Sequence, residues 1–196
     1  MPIKSVSLGI DWKTIEKKVE EEREKGGGFF LFKKKPEKVS YLSLVAFPSV
    51  HIEYEHQKNM NKTSVMETSQ AIIEPWLGKG RMNIPNKAAA TQVEYQGFSH
   101  LQNGYYIPWQ NLERGPKVFA EHFVKSTRKL GSNIEGLEVK NVCYLPRFIA
   151  KLEKKEGEFR YLVYNFQGDH IEMLSERMTN DPYYRQQVEG NMMRIP

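Results

Sequence analysis

Between residues 50 and 56 the chain alternates without a break: Val50, Ile52 and Tyr54 are apolar, and His51, Glu53 and Glu55 between them are polar. A period of two places the two sets on opposite faces of a β-strand, so this stretch needs a core on one side and accepts water on the other. Runs of β-like texture recur at Phe29 to Lys34, Val39 to Phe47, Phe148 to Leu152 and Phe159 to Phe166, each bounded by proline or a polar cluster. Pro36 and Pro48 are read as joints between strands. Asn103-Gly104, followed by Tyr105, Tyr106 and Ile107, predicts a type I′ hairpin, and Lys154-Lys155-Glu156-Gly157 a second hairpin turn.

Three stretches read as helix. Trp12, Ile15 and Val19 recur at helical spacing with Asp11 as a cap, which predicts a helix over 12–25 stopped by Gly26-Gly27-Gly28. Its apolar stripe is narrow, so residues 1–28 read as an arm that docks on another molecule as readily as on its own core. Gly115-Pro116 opens a middle helix to about Leu130. Near the C-terminus, Gly168-Asp169 caps a helix to about Met178, and Asp181-Pro182 starts another by the cap-then-proline rule. The expected organisation is the arm 1–28 followed by one α+β domain over 29–196. That domain is mainly antiparallel β, with an OB-like barrel as one arrangement, and carries a long irregular region over about 57–90.

With 196 residues, 39% hydrophobic and 27% charged, the chain has enough apolar surface for a core of its own. The formal charge of +5 attracts polyanions. One cysteine, Cys143, excludes an internal disulfide and any multi-cysteine metal site, and suits a reducing compartment. No apolar run reaches the roughly 20 residues of a membrane span. A cytoplasmic protein without membrane contact is expected, in the host cytoplasm if the source is a virus.

No catalytic, metal or cofactor motif emerges. His51, Glu53, Glu55 and His56 have ligand chemistry but no known metal spacing, and the glycine clusters lack the phosphate-loop patterns. Cys143 lies in a strand-like run, Val139 to Leu145, that favours a buried inert thiol. Aromatic and basic residues, however, interleave: Phe29, Phe30 and Phe32 run into Lys33, Lys34 and Lys35, Tyr41 follows Lys38, and Phe159, Tyr161 and Tyr164 surround Arg160. Strands that bind single-stranded nucleic acid stack bases on such rings while cations follow the backbone.

The opening, a charged helix followed by Lys25-Gly26-Gly27-Gly28-Phe29-Phe30-Leu31-Phe32-Lys33 and then the run Lys38 to Phe47, resembles the start of phage single-stranded DNA-binding proteins. The resemblance implies an N-terminal segment for self-interaction ahead of a basic, aromatic OB-type barrel, with strand contacts at Phe30, Phe32, Lys33, Lys34 and Lys35. The cysteine-rich zinc element found in several members of that group is absent from this sequence.

The leading expectation is non-enzymatic binding of single-stranded nucleic acid with little sequence preference, through Phe30, Phe32, Lys33, Lys34, Lys35, Tyr41, Arg160 and Tyr161. The alternative is a structural or adaptor subunit of a large assembly such as a virion or secretion complex, with homo-oligomerisation open. Its support is the irregular middle and the Tyr183, Tyr184, Met192 and Met193 group, suited to burial on a partner.

Overall fold

A computed structural model describes residues 4–25, 37–60, 63–73, 94–101, 103–109, 115–118, 120–121, 134–155 and 157–195. In chain order these form β1 (Lys4–Val6), α1 (Trp12–Lys25), β2 (Lys38–Met60), β3 (Thr63–Ile73), β4 (Tyr95–Gly97) and a 3-10 turn at Phe98–Leu101. There follow β5 (Tyr105–Tyr106), β6 (Ile134–Lys155), β7 (Glu158–Tyr164), α2 (Glu172–Asn180), α3 (Pro182–Asn191) and β8 (Met193–Arg194). The class is α+β. The sheet is mixed rather than purely antiparallel: β1 runs parallel to β6 and β5 parallel to β2 over short stretches, while β3 and β7 return antiparallel to β2 and β6 in the longer ladders. Among the described residues no helix is long and apolar enough to cross a membrane.

The chain divides into two compact units. One comprises Met1–Val6, Phe47–Gly97 and Pro108–Tyr144; the other comprises Ser7–Ala46, Phe98–Ile107 and Leu145–Pro196. β2 and β6 contribute residues to both. In the first unit Val50, Ile52, Tyr54, Ala71, Ile73 and Ala120 form one buried cluster with Trp109, Leu137 and Val139 against it. This is the apolar half of the alternation at 50–56. In the second unit α1 is docked on its own chain: Ile15 and Val19 are fully buried, Trp12 meets Phe148 edge to face, and Lys18 donates to Gly168 O. Burial of each aliphatic side chain is worth about 1.5–3 kcal/mol, so residues 12–25 are part of the second unit rather than a separate arm.

The two prolines at the change of unit sit inside strands, not at joints. β2 pairs with β5 at Val45 and Ala46 and with β3 from Val50 onward, so Pro48 falls in the gap where one neighbour has ended and the next has not begun. β6 repeats the device: β1 pairs at Cys143 and Tyr144, β7 from Phe148, and Pro146 lies between. A residue without an N–H is tolerated in a strand where no ladder bond is required of it.

Other expectations are corrected. The stretch 57–60 continues β2, and 63–73 forms β3, so the segment read as irregular over 57–90 begins as a long hairpin; residues 74–93 lie outside the described residues. The Thr/Ser-rich β3 hides its period because its polar residues lie on both faces. Asn103 has the positive φ of 64° expected, yet Tyr105–Tyr106 pairs with β2 and β8, not in a hairpin with the strand just before it, β4. Gly104 is needed there for space, since a Cβ would stand 2.9 Å from Leu101 O and 3.0 Å from Leu44 O. Asp11 and Asp181 cap α1 and α3 as expected, accepting from Thr14 N and Tyr184 N. α2 instead begins after Ile171, without a side-chain cap. Pro116 to Val118 are helical, as are Ala120 and Glu121; the rest of the expected middle helix lies outside the described residues.

The outer edge of β7 is closed by α2. Ser175 Oγ accepts Val163 N–H at 2.8 Å and Thr179 Oγ1 accepts Tyr161 N–H at 2.9 Å. Each hydroxyl passes its own proton back to the carbonyl four residues earlier, Ile171 O and Ser175 O. Alternate strand amides thus meet hydroxyls one helical turn apart. Replacing either acceptor, by Ser175→Ala or Thr179→Val, strands an amide, and each variant is expected to lose about 1–3 kcal/mol in urea unfolding with an unchanged denaturant slope.

Candidate functional site

The second unit gathers the aromatic and basic residues of β6, β7 and α3. Lys151, opposite Tyr161 in the hairpin, places its ammonium 4.6 Å from the centre of the Phe159 ring. Arg185 lies 4.8 Å from the same ring and donates to Met178 O and Thr179 O at the end of α2. A cation is favourable at those carbonyls, so Arg185 is held in place by the fold. Tyr41 and Tyr161 meet edge to face at 6.2 Å and donate to the same oxygen of Glu189, at 3.1 and 2.6 Å. Burial above all, reinforced by that carboxylate, raises both phenols above their ordinary range and keeps them protonated donors.

Arg160, next to Tyr161 on β7, points to the other face. Its guanidinium donates to both oxygens of Glu37, at 2.8 to 3.2 Å, and to Glu22 O at 2.8 Å. Glu37 is 2% exposed, with Lys154 a further 3.8 Å away, and its carbonyl accepts from Arg23. Arg160 therefore fastens the end of α1 to the start of β2. Removing it leaves a buried carboxylate without its main partner. Arg160→Met is expected to cost up to about 3 kcal/mol, with much of the loss recovered in the Glu37→Gln, Arg160→Met double variant, measured by chemical denaturation.

The polar half of the 50–56 alternation builds a hydrogen-bonded row in the first unit. Tyr95 Oη stands 2.8 Å from His51 Nδ1, His51 Nε2 3.2 Å from Gln70 Oε1, and Gln70 Nε2 donates to Glu53 at 2.9 Å. Lys140 closes the row, 3.0 Å from Glu53 and 2.7 Å from Glu138. The thiol of Cys143 joins at the tyrosine. Burial pushes that thiol up to about 12, the Tyr95 contact opposing only in part, so it is no nucleophile near neutrality. Among the described residues no three His, Cys, Asp or Glu side chains are grouped to hold a metal. Burial also lowers the pKa of His51, with Lys140 in the same direction and Gln70 and Glu53 opposing. Since the folded state favours neutral His51, its contribution is complete above the ordinary value of 6.5 and is lost as pH falls below it. Unfolding free energy is expected to decrease between about pH 7.5 and 5.5 in the native protein and to stay flatter in His51→Gln, by urea titration at each pH.

A third surface lies on the β2–β3 ribbon, whose register runs unbroken from Val50↔Ile73 to Met60↔Thr63. Val65 and Met66, on opposite faces of β3, are 50% and 48% exposed. Of the C-terminal group, Tyr184 is buried, whereas Tyr183 is 71% and Met193 47% exposed.

No protein-family model, no curated protein and no solved structure matches this chain. Of the residues the sequence marked for nucleic acid, Phe30, Phe32, Lys33, Lys34 and Lys35 lie outside the described residues. Tyr41, Tyr161 and Arg160 belong to one unit. Tyr161, 2% exposed, presents no ring face for stacking, and Arg160 is turned toward Glu37. Lys151, Arg185 and Glu189 join the cluster unannounced. Lys151 is legible once the hairpin turn is counted back, whereas Arg185 and Glu189 arrive only through the packing of α3.

Proposed function

We propose that this chain is a binding protein that serves as a structural or adaptor subunit of a larger assembly. The observation that carries this reading is the β2–β3 ribbon with apolar residues exposed on both of its faces, Val65 on one and Met66 on the other. Apolar surface exposed on two sides of a sheet leaves water when another molecule closes over it. The exposed Tyr183 and Met193 add to the same account. The polar row around His51 supports binding over chemistry, because its thiol is held protonated and its carboxylate Glu53 is engaged by Lys140 and Gln70.

A second reading, single-stranded nucleic-acid binding in a cytoplasm through an OB-type barrel akin to that of phage single-stranded DNA-binding proteins, keeps one observation in its favour. The Phe159 ring is only half-buried and stands between two cations, Lys151 and Arg185, a local composition suited to bases and phosphates. Phe30, Phe32 and Lys33 to Lys35 belong to that reading.

Fractionation of an extract of the source cells by size, with and without nuclease, tests both. On the assembly reading the chain elutes in a particle several times its 22.9 kDa and stays there after nuclease. Elution at monomer or dimer mass sinks it. A particle that nuclease dissolves transfers support to nucleic acid, which an anisotropy titration of an oligonucleotide of about 30 residues at two salt concentrations then checks, with binding expected to weaken steeply as salt rises.

A further inference from the structure

We infer that the polar row around His51 is a one-way chain of hydrogen bonds, and that a proton taken up by His51 reverses its inner end, turning the Tyr95 hydroxyl from the imidazole to the Cys143 sulfur. The inference goes beyond the assembly reading and does not depend on it. Every member of the row belongs to the first unit. Four strands supply them: His51 and Glu53 from β2, Gln70 from β3, Tyr95 from β4, and Lys140 and Cys143 from β6. The direction is fixed from the charged end. Lys140 stands 3.0 Å from Glu53 and, with Gln70, holds its carboxyl below the usual range, so Glu53 is ionised and can only accept. The Gln70 atom facing it at 2.9 Å is therefore the amide nitrogen, which leaves Oε1 for His51. An amide oxygen also only accepts, so the 3.2 Å contact requires the proton on His51 Nε2. A neutral imidazole has a single N–H, so Nδ1 carries a lone pair and Tyr95 donates across the 2.8 Å contact. Having given its one proton, Tyr95 Oη meets the thiol of Cys143 as an acceptor. Every donor in the chain points toward Glu53.

A histidinium carries an N–H on both ring nitrogens. Nε2–H keeps Gln70, while the new Nδ1–H donates to Tyr95 Oη. The hydroxyl proton is displaced from that contact and turns to the other partner of the oxygen, Cys143 Sγ. One proton enters, at Nδ1; tyrosine and thiol keep theirs, and no other covalent bond changes. The charges that face His51 are Glu53 on its own strand and Lys140 on β6, with Glu138 beyond Lys140; Gln70 and Tyr95 face it from β3 and β4 as neutral groups. Burial, with Lys140 in the same direction, keeps its pKa below 6.5, so the reversal takes place on the acid side of that value. Burial first of all also raises the Tyr95 phenol and the Cys143 thiol, so neither loses its proton over this range.

Raman spectroscopy of the purified full chain tests the reversal, because Cys143 is the one cysteine and all S–H intensity comes from it. An S–H stretch falls in frequency when the thiol donates a hydrogen bond. The expected result is a lowered band at about pH 7.5 that moves up as the pH falls toward about 5, with the same midpoint as the His51 ring signals in NMR. At neutral pH those signals should show the Nε2–H tautomer. His51→Gln should make the band independent of pH, and Tyr95→Phe should hold it at the higher frequency throughout. A band that stays still while His51 titrates overturns the inference, as does a neutral Nδ1–H tautomer. Loss of the folded circular dichroism spectrum before His51 takes up its proton overturns it too. These three readings use the unaltered protein, so the test stands even where a variant does not fold.

Discussion

The organisation of this protein depends on two long strands, β2 and β6, that are neighbours in the sheet. β2 has 23 residues and β6 has 22, against a common strand length of about 5–6, so each must change its outer partner partway along. At the change the outer ladders skip three residues of each strand, 47–49 in β2 and 145–147 in β6, and a proline lies in each gap, Pro48 and Pro146. The short elements are placed by this arrangement. β1 and β5 add as parallel strands because they reach β6 and β2 from distant parts of the chain, while β3 and β7 return as hairpins.

Once the strands are set, edge management distinguishes one surface from another. β7 lies in a unit with α2 beside it, and the serine and threonine of that helix meet its amides. The hydroxyls satisfy strand and helix at once, which makes the edge both stable and closed to further strands. On β3 the exposed large apolar residues are Val65 and Met66, whereas Ser69, Ala71, Ile72 and Ile73 are buried. The exposed valine and methionine give the assembly reading its location.

The charged groups follow the same logic of prior commitment. Arg160 is engaged by Glu37 and the end of α1, Arg185 by the last carbonyls of α2, and Lys140 by Glu53 and Glu138. A cation already neutralised at short range contributes little to a long-range field. The aromatic–basic texture of β7 is therefore explained first by packing: Tyr161 serves the core, Arg160 an internal ion pair, and Phe159, between its two cations, retains a half-open ring.

By itself the sequence determined the local elements whose cause is local. Asp11 and Asp181 cap helices by bonds reaching three residues, the 50–56 alternation sorts a strand into wet and dry faces, and Gly157 closes a hairpin between adjoining strands at positive φ. Only the tertiary structure decided the rest. Pro48 reads as a strand end until β5 and β3 are known to leave a gap there, and β3 reads as loop because its serines and threonines are polar in sequence, although its backbone pairs along β2. Tyr161 and Arg160 read as a binding face until Glu189 and Glu37 arrive from other elements. Local rules act through bonds spanning a few residues, whereas partner changes, edge cover and burial depend on groups brought together by the fold, and one chain's periodicity carries no record of them.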